Sequence, residues 1–233
     1  MNDFFRFPHT PHLAWLGEGQ PRDDKVLSAC EAAEIVSGNV VVEEKLDGAN
    51  LGLSLGPDGI VRVQNRGQYL TKPYSSQFAR LSSWLPQIEE ALIATLGQNL
   101  ILFGEWCAAR HSLDYRELPD WFFAFDVYDR NEARFWSTAR RDTLAKQLSL
   151  ACVPKLLAGP ASMEKLKKLV QEEHSRFRPG PLEGIVIRKE SPEWLKSRAK
   201  LVHPQFTQAI TEHWSRRAIA WNLLSKTARA ASS

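Results

Sequence analysis

Cysteine is scarce in this 233-residue sequence, and its three copies lie far apart. Cys30, Cys107 and Cys152 include no CxxC pair, so neither a zinc site nor a disulfide framework is expected. No apolar run is long enough to span a membrane, and the N-terminus MNDFFRFPHT lacks the apolar segment of a signal peptide. We therefore expect a cytoplasmic protein with reduced thiols and no membrane partner.

Several common catalytic signatures are also missing. The sequence contains no GxxxxGK(S/T) P-loop, no GxGxxG, no GxSxG and no HExxH, so the usual nucleotide-binding and hydrolase motifs do not explain it. The net charge of +3 is too small to indicate a nucleic-acid partner by itself. With 43% apolar and 24% charged residues, the composition is that of an ordinary globular protein.

The pattern of apolar residues predicts strands and helices in irregular alternation. We expect strands at residues 40–45, 51–55, 60–64, 100–103, 121–127, 182–187 and 198–202. We expect helices at residues 26–35, 76–96, 137–148, 162–173 and 205–224, the third and fourth opening on the N-cap residues Ser137 and Ser162. Turn signals between the first three strands favour a hairpin meander, and hence an α+β fold with antiparallel sheets.

One lysine stands out because it ends an apolar strand and is followed by a glycine turn. Lys45 begins the segment KLDGAN, in which Gly48 permits a tight bend. A lysine is a nucleophile only when neutral, and lowering its pKa from about 10.4 to about 7.5 takes about 4 kcal/mol of differential interaction. Burial and nearby cations can supply such a shift. The alternative is a strand end followed by an ordinary surface turn.

Carboxylates and cations recur at other predicted strand ends. Glu105 follows a buried strand in FGEW, and Glu183 opens a strand in LEGIVIR. Arg198 and Lys200 are two residues apart, so they would share one face of a strand. FAFD, which ends at Asp126, adds aromatic residues and a carboxylate. Each segment alone is typical of a solvated strand end, a core strand or a surface pair.

Taken in order, these segments resemble the motifs of the covalent nucleotidyltransferase superfamily of ATP-dependent DNA ligases, RNA ligases and mRNA capping enzymes. KLDGAN resembles motif I, FGEW motif III, FAFD motif IIIa, EGIVIR motif IV and RAK motif V, while QNRG lies where motif Ia falls. The resemblance covers roughly residues 40–202. It implies an α+β nucleotidyltransferase fold, of the ATP-grasp-like ligase type, with antiparallel sheets flanked by helices around an AMP-binding groove.

The resemblance implies a nucleotide-binding role for most of the motif residues. Lys45 would attack the α-phosphate of ATP, release pyrophosphate and form lysyl-AMP. Phe125 would stack on adenine, with Phe123 as the alternative. The other nucleotide-binding residues implied are Asp47, Asn50, Arg66 at the sugar or the end phosphate, and Glu105 at the ribose.

The resemblance also implies a divalent metal and cations at the α-phosphate. Glu183 would bind Mg²⁺ or Mn²⁺, since a hard cation suits a carboxylate. Lys200 would contact the α-phosphate, which makes it the third catalytic residue beside Lys45 and Glu183. Arg198 would be its neighbouring cation; motif V usually carries lysine there, and arginine keeps the charge but not the point-charge geometry.

Two features favour the RNA ligase branch of the superfamily. Asn50 stands where DNA ligases and capping enzymes tend to carry arginine, and the 33 residues after Lys200 are too few for the OB-fold domain that usually follows. We expect an N-terminal extension at residues 1–38 packed on the core, an adenylation domain at 39–203, and a C-terminal helix at 204–233 that is not a separate domain.

The predicted function is ATP-dependent joining of RNA 5′-phosphate and 3′-hydroxyl ends, in RNA repair, through lysyl-AMP and RNA-adenylate. A DNA ligase or a GTP-using guanylyltransferase of the same superfamily is one alternative, and a non-catalytic RNA-binding module is another. The C-terminal segment would either contact RNA or pack on the body with its cations in solvent. Its residues in question are Trp214, Arg216, Arg217, Trp221, Lys226 and Arg229.

Overall fold

A computed structural model describes residues 4–19, 21, 25–207 and 219–231 of the chain. Its strands are β1 Asn39–Lys45, β2 Ala49–Leu55, β3 Val61–Gln64, β4 Tyr69–Leu70, β5 Leu100–Trp106, β6 Phe122–Asp129, β7 Arg134–Phe135, β8 Ala151–Cys152, β9 Lys155–Pro160, β10 Gly184–Glu190 and β11 Leu195–Val202. Its α-helices are α1 Ala29–Val36, α2 Leu81–Trp84, α3 Glu89–Leu96, α4 Thr138–Gln147, α5 Met163–Glu172, α6 Pro204–Thr207 and α7 Lys226–Ala231.

The strands form two sheets, and a groove lies between them. The smaller sheet has the order β11-β10-β1-β9, and all its pairs are antiparallel. The larger has the order β4-β3-β2-β5-β6-β7, to which β8 adds a short parallel pair with β6. Helices α1 and α5 pack on the smaller sheet, and α3 and α4 pack on the larger one. The predicted α+β fold, with antiparallel sheets flanked by helices, is confirmed.

Alternation along β1 gives the smaller sheet one apolar face and one polar face. Val40 and Val42 are buried in a core that includes Leu166 of α5. Glu43 and Lys45 project to the opposite face, where they line the groove. The same strand therefore anchors the sheet on its helices and supplies charge to the groove.

The predicted meander of the first three strands is wrong at its first turn. β2 pairs with β3 as predicted, but β1 belongs to the other sheet, where Lys45 pairs with Gly184. Residues 46–48 therefore cross from one sheet to the other. A Cβ at Gly48 would lie 2.5 Å from the carbonyl oxygen of Trp106, so this close crossing requires glycine.

The helix predicted at residues 76–96 is present as four short pieces. A 3₁₀ turn at Ser76–Phe78 precedes α2, and a second at Leu85–Gln87 precedes α3. Pro86 interrupts the helix because its ring removes a hydrogen-bond donor. The apolar stripe still forms core, as predicted, and its buried members are Phe78, Leu81, Leu85, Leu92 and Leu96.

The helix predicted over residues 205–224 is wrong in its last part. α6 ends at Thr207, and Trp221 forms a β-bridge with Ala109 instead of continuing a helix. The predicted RNA contacts at Trp214, Arg216 and Arg217, and the side chain of Arg229, lie outside the described residues. Across the described ranges, the helices are too short to cross a membrane.

Candidate active site

A groove of about 370 Å³ lies where the two sheets meet. Both sheets and the N-terminal segment contribute to its walls. Seven of the nine predicted site residues line it: Lys45, Asn50, Arg66, Glu105, Phe125, Arg198 and Lys200. Of the other two, Glu183 contacts the groove residue Lys45, and Asp47 contacts Tyr115, which does not line the groove. Motifs that are far apart in sequence are therefore brought to one place.

Lys45 and Glu183 form an ion pair at the centre of the site. The Lys45 Nζ atom lies 2.6 Å from both carboxylate oxygens of Glu183. The pairing of Lys45 with Gly184 across β1 and β10 fixes this contact, because Glu183 immediately precedes Gly184. The side chains are 26% and 14% exposed, so the pair is largely shielded from water.

The charge state of Lys45 differs from the one predicted. Burial lowers the pKa of Lys45, but the charges of Glu183 and Glu105 outweigh burial, so the pKa is raised above its usual value. The expectation of a depressed lysine pKa is therefore wrong for this state of the chain. Lys45 is an ammonium group held by carboxylates, and it must lose its proton before it can act as a nucleophile.

Two carboxyl groups beside Lys45 have strongly raised pKa values. Burial raises the pKa of Glu105 to about 8 and that of Glu183 to about 7, against the opposing pull of the Lys45 charge. The Glu105 Oε1 atom accepts a hydrogen bond of 3.0 Å from the backbone N–H of Gly48. The site therefore holds more acidic groups than it can keep ionised at neutral pH.

Glu105→Gln is expected to stabilise the nucleotide-free chain at alkaline pH. Because the folded pKa of Glu105, about 8, exceeds its ordinary 4.5, the stability linked to its protonated form is lost as pH rises through about 8. Glutamine mimics that protonated form and keeps the bond from Gly48. Urea unfolding at pH 5, 7 and 9 should show the variant gaining on the wild type as pH rises. Exposed Glu132→Gln is the control, and a gain by the wild type with rising pH would contradict the prediction.

Asp47 lies behind the groove and does not line it. Its Oδ2 atom accepts hydrogen bonds of 2.7 Å from the backbone N–H groups of Ser112 and Leu113. Its own N–H donates to the Tyr115 hydroxyl at 2.9 Å. In this arrangement Asp47 fastens the crossing segment to a neighbouring loop, and direct contact with a nucleotide stays a prediction.

Two polar side chains face the groove with unsatisfied atoms. Asn50 on β2 is paired with Glu105 on β5, and its buried Oδ1 atom has no hydrogen-bond partner among the described residues. The buried Nε atom of Arg66 is in the same situation. Because a buried polar atom without a partner is costly, both side chains are suited to a polar ligand in the groove.

The aromatic wall of the groove is Phe125, not Phe123. Phe125 is partly exposed and lines the groove. Phe123 is fully buried and packs against Phe177, with 5.1 Å between ring centroids. Of the two candidates for adenine stacking, Phe125 alone presents a surface to the groove.

Arg198 and Lys200 line the groove, but Arg198 is tied to protein groups. Its guanidinium forms an ion pair with Asp126 and lies 4.5 Å from the ring centroid of Phe7. The positive charge of Lys200 reaches Glu183 and helps to lower the pKa of that carboxyl. Lys200 therefore adds a positive charge to the groove near Glu183.

The N-terminal segment forms a wall of the site that the sequence did not reveal. Its Phe7 and Thr10 line the groove. The backbone of Lys200 donates to the carbonyl of Pro11 at 2.9 Å and accepts from the N–H of Leu13 at 2.8 Å. The residues FFRFPHT carry only an aromatic bias as a signal, and nothing in their spacing indicates a partner near residue 200.

A buried ion network lies partly in the wall of the groove and joins the sheets. Arg188 of β10 contacts Asp126 at 2.8 Å and Glu190 at 2.7 Å. Arg141 of α4 contacts Glu43 of β1 at 2.6 Å. Both arginines also donate to one backbone carbonyl, that of residue 125, at 2.8 and 3.3 Å. Asp126 ends the segment FAFD, and Arg188 ends the segment EGIVIR. Their places in these two motifs were the only indication of the network in the sequence.

A preformed metal cage is not present among the described residues. They contain no group of three or more His, Cys, Asp or Glu that could hold an ion. Glu183 nevertheless suits a divalent cation, because magnesium is commonly held by one or two carboxylates together with substrate phosphates and water. The donor set therefore fits a metal that arrives with a phosphate ligand.

Comparison with known proteins gives a family match and a shared fold. The RNA ligase family model matches residues 38–202. Structures of Naegleria gruberi RNA ligase are similar in fold. A lysine-to-alanine mutant with ATP and Mn gives 20% identity and a TM-score of 0.63 over 87% of this chain and 63% of that one. The structure of the enzyme with PPi gives 22% identity and a TM-score of 0.60 over 85% of this chain and 61% of that one.

The matched structures are longer than this chain. An arginine-to-alanine mutant of the same ligase, with ATP and Mn, gives 19% identity and a TM-score of 0.63 over 88% of this chain but only 58% of that one. This chain therefore spans about three-fifths of the length of these structures. No match was found among curated proteins. At such identities the structural likeness establishes the fold alone.

Proposed function

This chain belongs to the RNA ligase family, and on that premise we propose that it is an ATP-dependent RNA ligase that works through an adenylate on Lys45. The observation that carries the proposal is the contact between Lys45 and Glu183, 2.6 Å apart, in a groove lined by Glu105, Phe125 and Lys200. A lysine, acidic groups, an aromatic face and a second cation thus meet in one site.

The groove residues support a specific placement of ATP. Phe125 would stack on the adenine ring, and Glu105 and Asn50 would face the ribose. Lys200 and Arg66 would lie at the phosphates, with Thr10 and Asp47 as lesser candidates for nucleotide contact. Because these groups are fixed by two sheets, they would hold the α-phosphate in line with Lys45 Nζ, which is the main requirement of phosphoryl transfer.

Lys45 would then form the covalent intermediate. Bound at Glu183, Mg²⁺ or Mn²⁺ would neutralise charge on the α-phosphate and offset the carboxylate charge that keeps Lys45 protonated. Neutral Lys45 would donate its lone pair to the α-phosphorus, and the bond to pyrophosphate would break. Transfer of AMP to an RNA 5′-phosphate, and attack by a 3′-hydroxyl with release of AMP, would complete the join.

Incubation of the chain with α-labelled ATP and Mg²⁺ or Mn²⁺ tests this function. We expect covalent label from ATP and not from GTP, followed by sealing of nicked RNA with 5′-phosphate and 3′-hydroxyl ends. Label from GTP would favour a guanylyltransferase, and sealing of DNA alone would favour a DNA ligase. RNA binding without label would indicate a non-catalytic module and overturn the proposal.

Phe125→Leu is expected to weaken ATP binding and to leave the rate of labelling at saturating ATP nearly unchanged. Leucine keeps apolar bulk but loses the aromatic face, and base stacking on an aromatic side chain contributes about 1–3 kcal/mol. The KM for ATP in the labelling reaction should rise by about 5- to 150-fold at similar kcat. Phe123→Leu, in the buried aromatic pair behind the groove, is the control. Equal KM values for wild type and Phe125→Leu would contradict the assigned role.

The proposed adenylation domain corresponds to residues 39–203, with residues 1–38 as an extension. The groove-lining residues Phe7 and Thr10 give that extension a part in the site.

We further propose that the enzyme works in RNA repair in the cytoplasm. Free Cys30, Cys107 and Cys152 fit a reducing compartment.

A further inference from the structure

Asn222, in the C-terminal segment, is a fully buried polar side chain whose hydrogen bonds among the described residues go to one loop. Its Oδ1 atom accepts a hydrogen bond of 2.9 Å from the N–H of Tyr115. Its Nδ2 atom donates to the carbonyls of Cys107, at 2.8 Å, and Ala109, at 3.3 Å. Its own N–H donates to the carbonyl of Ala108 at 3.0 Å. One side chain therefore bonds to residues 107, 109 and 115 of a loop that spans residues 107–118.

The backbone around Asn222 follows the same loop. Leu223 donates to the carbonyl of Tyr115 at 2.9 Å, and Ser225 donates to the carbonyl of Leu118 at 2.8 Å. In the opposite direction, Arg110 donates to the carbonyl of Ala220 at 2.8 Å. Residues 220–225 are thus bound to the loop along most of its length.

The 107–118 loop in turn holds the segment that carries Lys45. Ser112 and Leu113 donate to the Asp47 carboxylate at 2.7 Å, and the Tyr115 hydroxyl accepts from the Asp47 N–H at 2.9 Å. Asp47 is two residues from Lys45 and lies in the crossing between the sheets. Hydrogen bonds therefore connect the C-terminal segment, through Tyr115, to Asp47, which is two residues from Lys45.

Resting on the proposed function, we propose that Asn222 is a positioning residue for adenylation: it fixes the 107–118 loop, which fixes Asp47 and hence Lys45. Reaction of Lys45 requires its Nζ atom in line with the bond that breaks, and a displacement of about 1 Å can cost about 100-fold in rate. The C-terminal segment would thus act on the chemistry without touching the nucleotide.

The test compares Asn222→Ala and Tyr115→Phe in the full chain. Tyr115→Phe keeps the buried ring and removes only the oxygen that accepts from Asp47. We expect Asn222→Ala to slow labelling at saturating ATP by about 10–100-fold. Tyr115→Phe should slow it less, and the KM for ATP should change little in either variant. The double variant should lose less than the product of the two effects, because both act on one path.

A matched control separates positioning from general loss of stability. Val170→Ala truncates a fully buried side chain of α5, on the far side of the smaller sheet. We expect this control to label at nearly the wild-type rate, even where its thermal midpoint falls as far as that of Asn222→Ala. Amide hydrogen exchange should rise at Asp47 and Leu113 in Asn222→Ala and stay unchanged in Val170→Ala.

Three results would overturn the inference. They are a wild-type labelling rate in Asn222→Ala, equal losses in Asn222→Ala and Val170→Ala at equal thermal midpoints, and unchanged exchange at Asp47. Absence of label from the wild type would overturn the proposed function itself, and the inference with it. Labelling of the wild type therefore distinguishes failure of the inference from failure of the proposed function.

Discussion

Lys45→Arg is expected to leave the chain folded and unable to form any covalent adduct with α-labelled ATP. Arginine keeps a positive charge opposite Glu183, so the ion pair at the centre of the site is preserved. Its guanidinium, however, is not deprotonated in proteins and cannot become a neutral nucleophile. Loss of a covalent nucleophile costs on the order of 10⁴–10⁶ in rate, so label should fall below detection.

The same exchange at an exposed lysine supplies the control for Lys45→Arg. Lys25 also forms an ion pair at 2.6 Å, with Glu31, but its side chain is 63% exposed and lies outside the groove. Lys25→Arg should take up label as the wild type does. The wild-type adduct should be lost in mild acid and survive alkali, as a P–N bond does. Covalent label on Lys45→Arg would contradict the role of Lys45.

Arg188→Met is expected to produce the largest loss of stability. Arg188 is 1% exposed and lies within hydrogen-bond distance of Asp126 and Glu190. Methionine fills a similar volume but removes the cation that Glu190 and Asp126 share, which leaves Asp126 with Arg198 alone. Removing one partner of a buried ion pair costs about 3–5 kcal/mol. For a chain of this size, the thermal midpoint should fall by roughly 10 °C.

Thermal and urea unfolding of Arg188→Met measure this effect against an exposed pair. Arg62 lies 3.5 Å from Asp58, with side chains 37% and 49% exposed, so Arg62→Met should cost less than about 1 kcal/mol. Added salt should weaken the Arg62 contribution and leave the Arg188 contribution nearly unchanged. Equal losses in the two variants would show that the buried network does not hold the sheets together.

The local patterns in the sequence predicted the elements better than their partners. The serine caps of α4 and α5, and the strands that carry Glu105 and Phe125, lie where expected. The β1–β2 hairpin failed because alternation indicates that two strands exist, not that they pair. The prediction of a continuous helix at residues 76–96 failed because it relied on the period of the apolar residues and neglected Pro86, which interrupts the helix.

The site followed from the sequence only where its residues lie in short ordered motifs. Lys45, Glu105, Glu183 and Lys200 were found in this way, and the structure brings them together. Asn222 was not, because its role depends on contacts with residues more than a hundred positions away. The charge state of Lys45 was also missed, since the sequence cannot show which neighbours lie closest.

The hydrogen bonds between the N-terminal segment and Lys200 also bear on how the chain folds. β11 is an edge strand of its sheet, and Pro11 and Leu13 cover it beside Lys200. A growing chain makes residues 11–13 long before residue 200, so the segment and its partner strand cannot meet until residue 200 has been synthesised. Contacts of such long sequence separation form slowly. Until then the N-terminal segment lacks its partner strand, and we expect misassembly during synthesis to begin there.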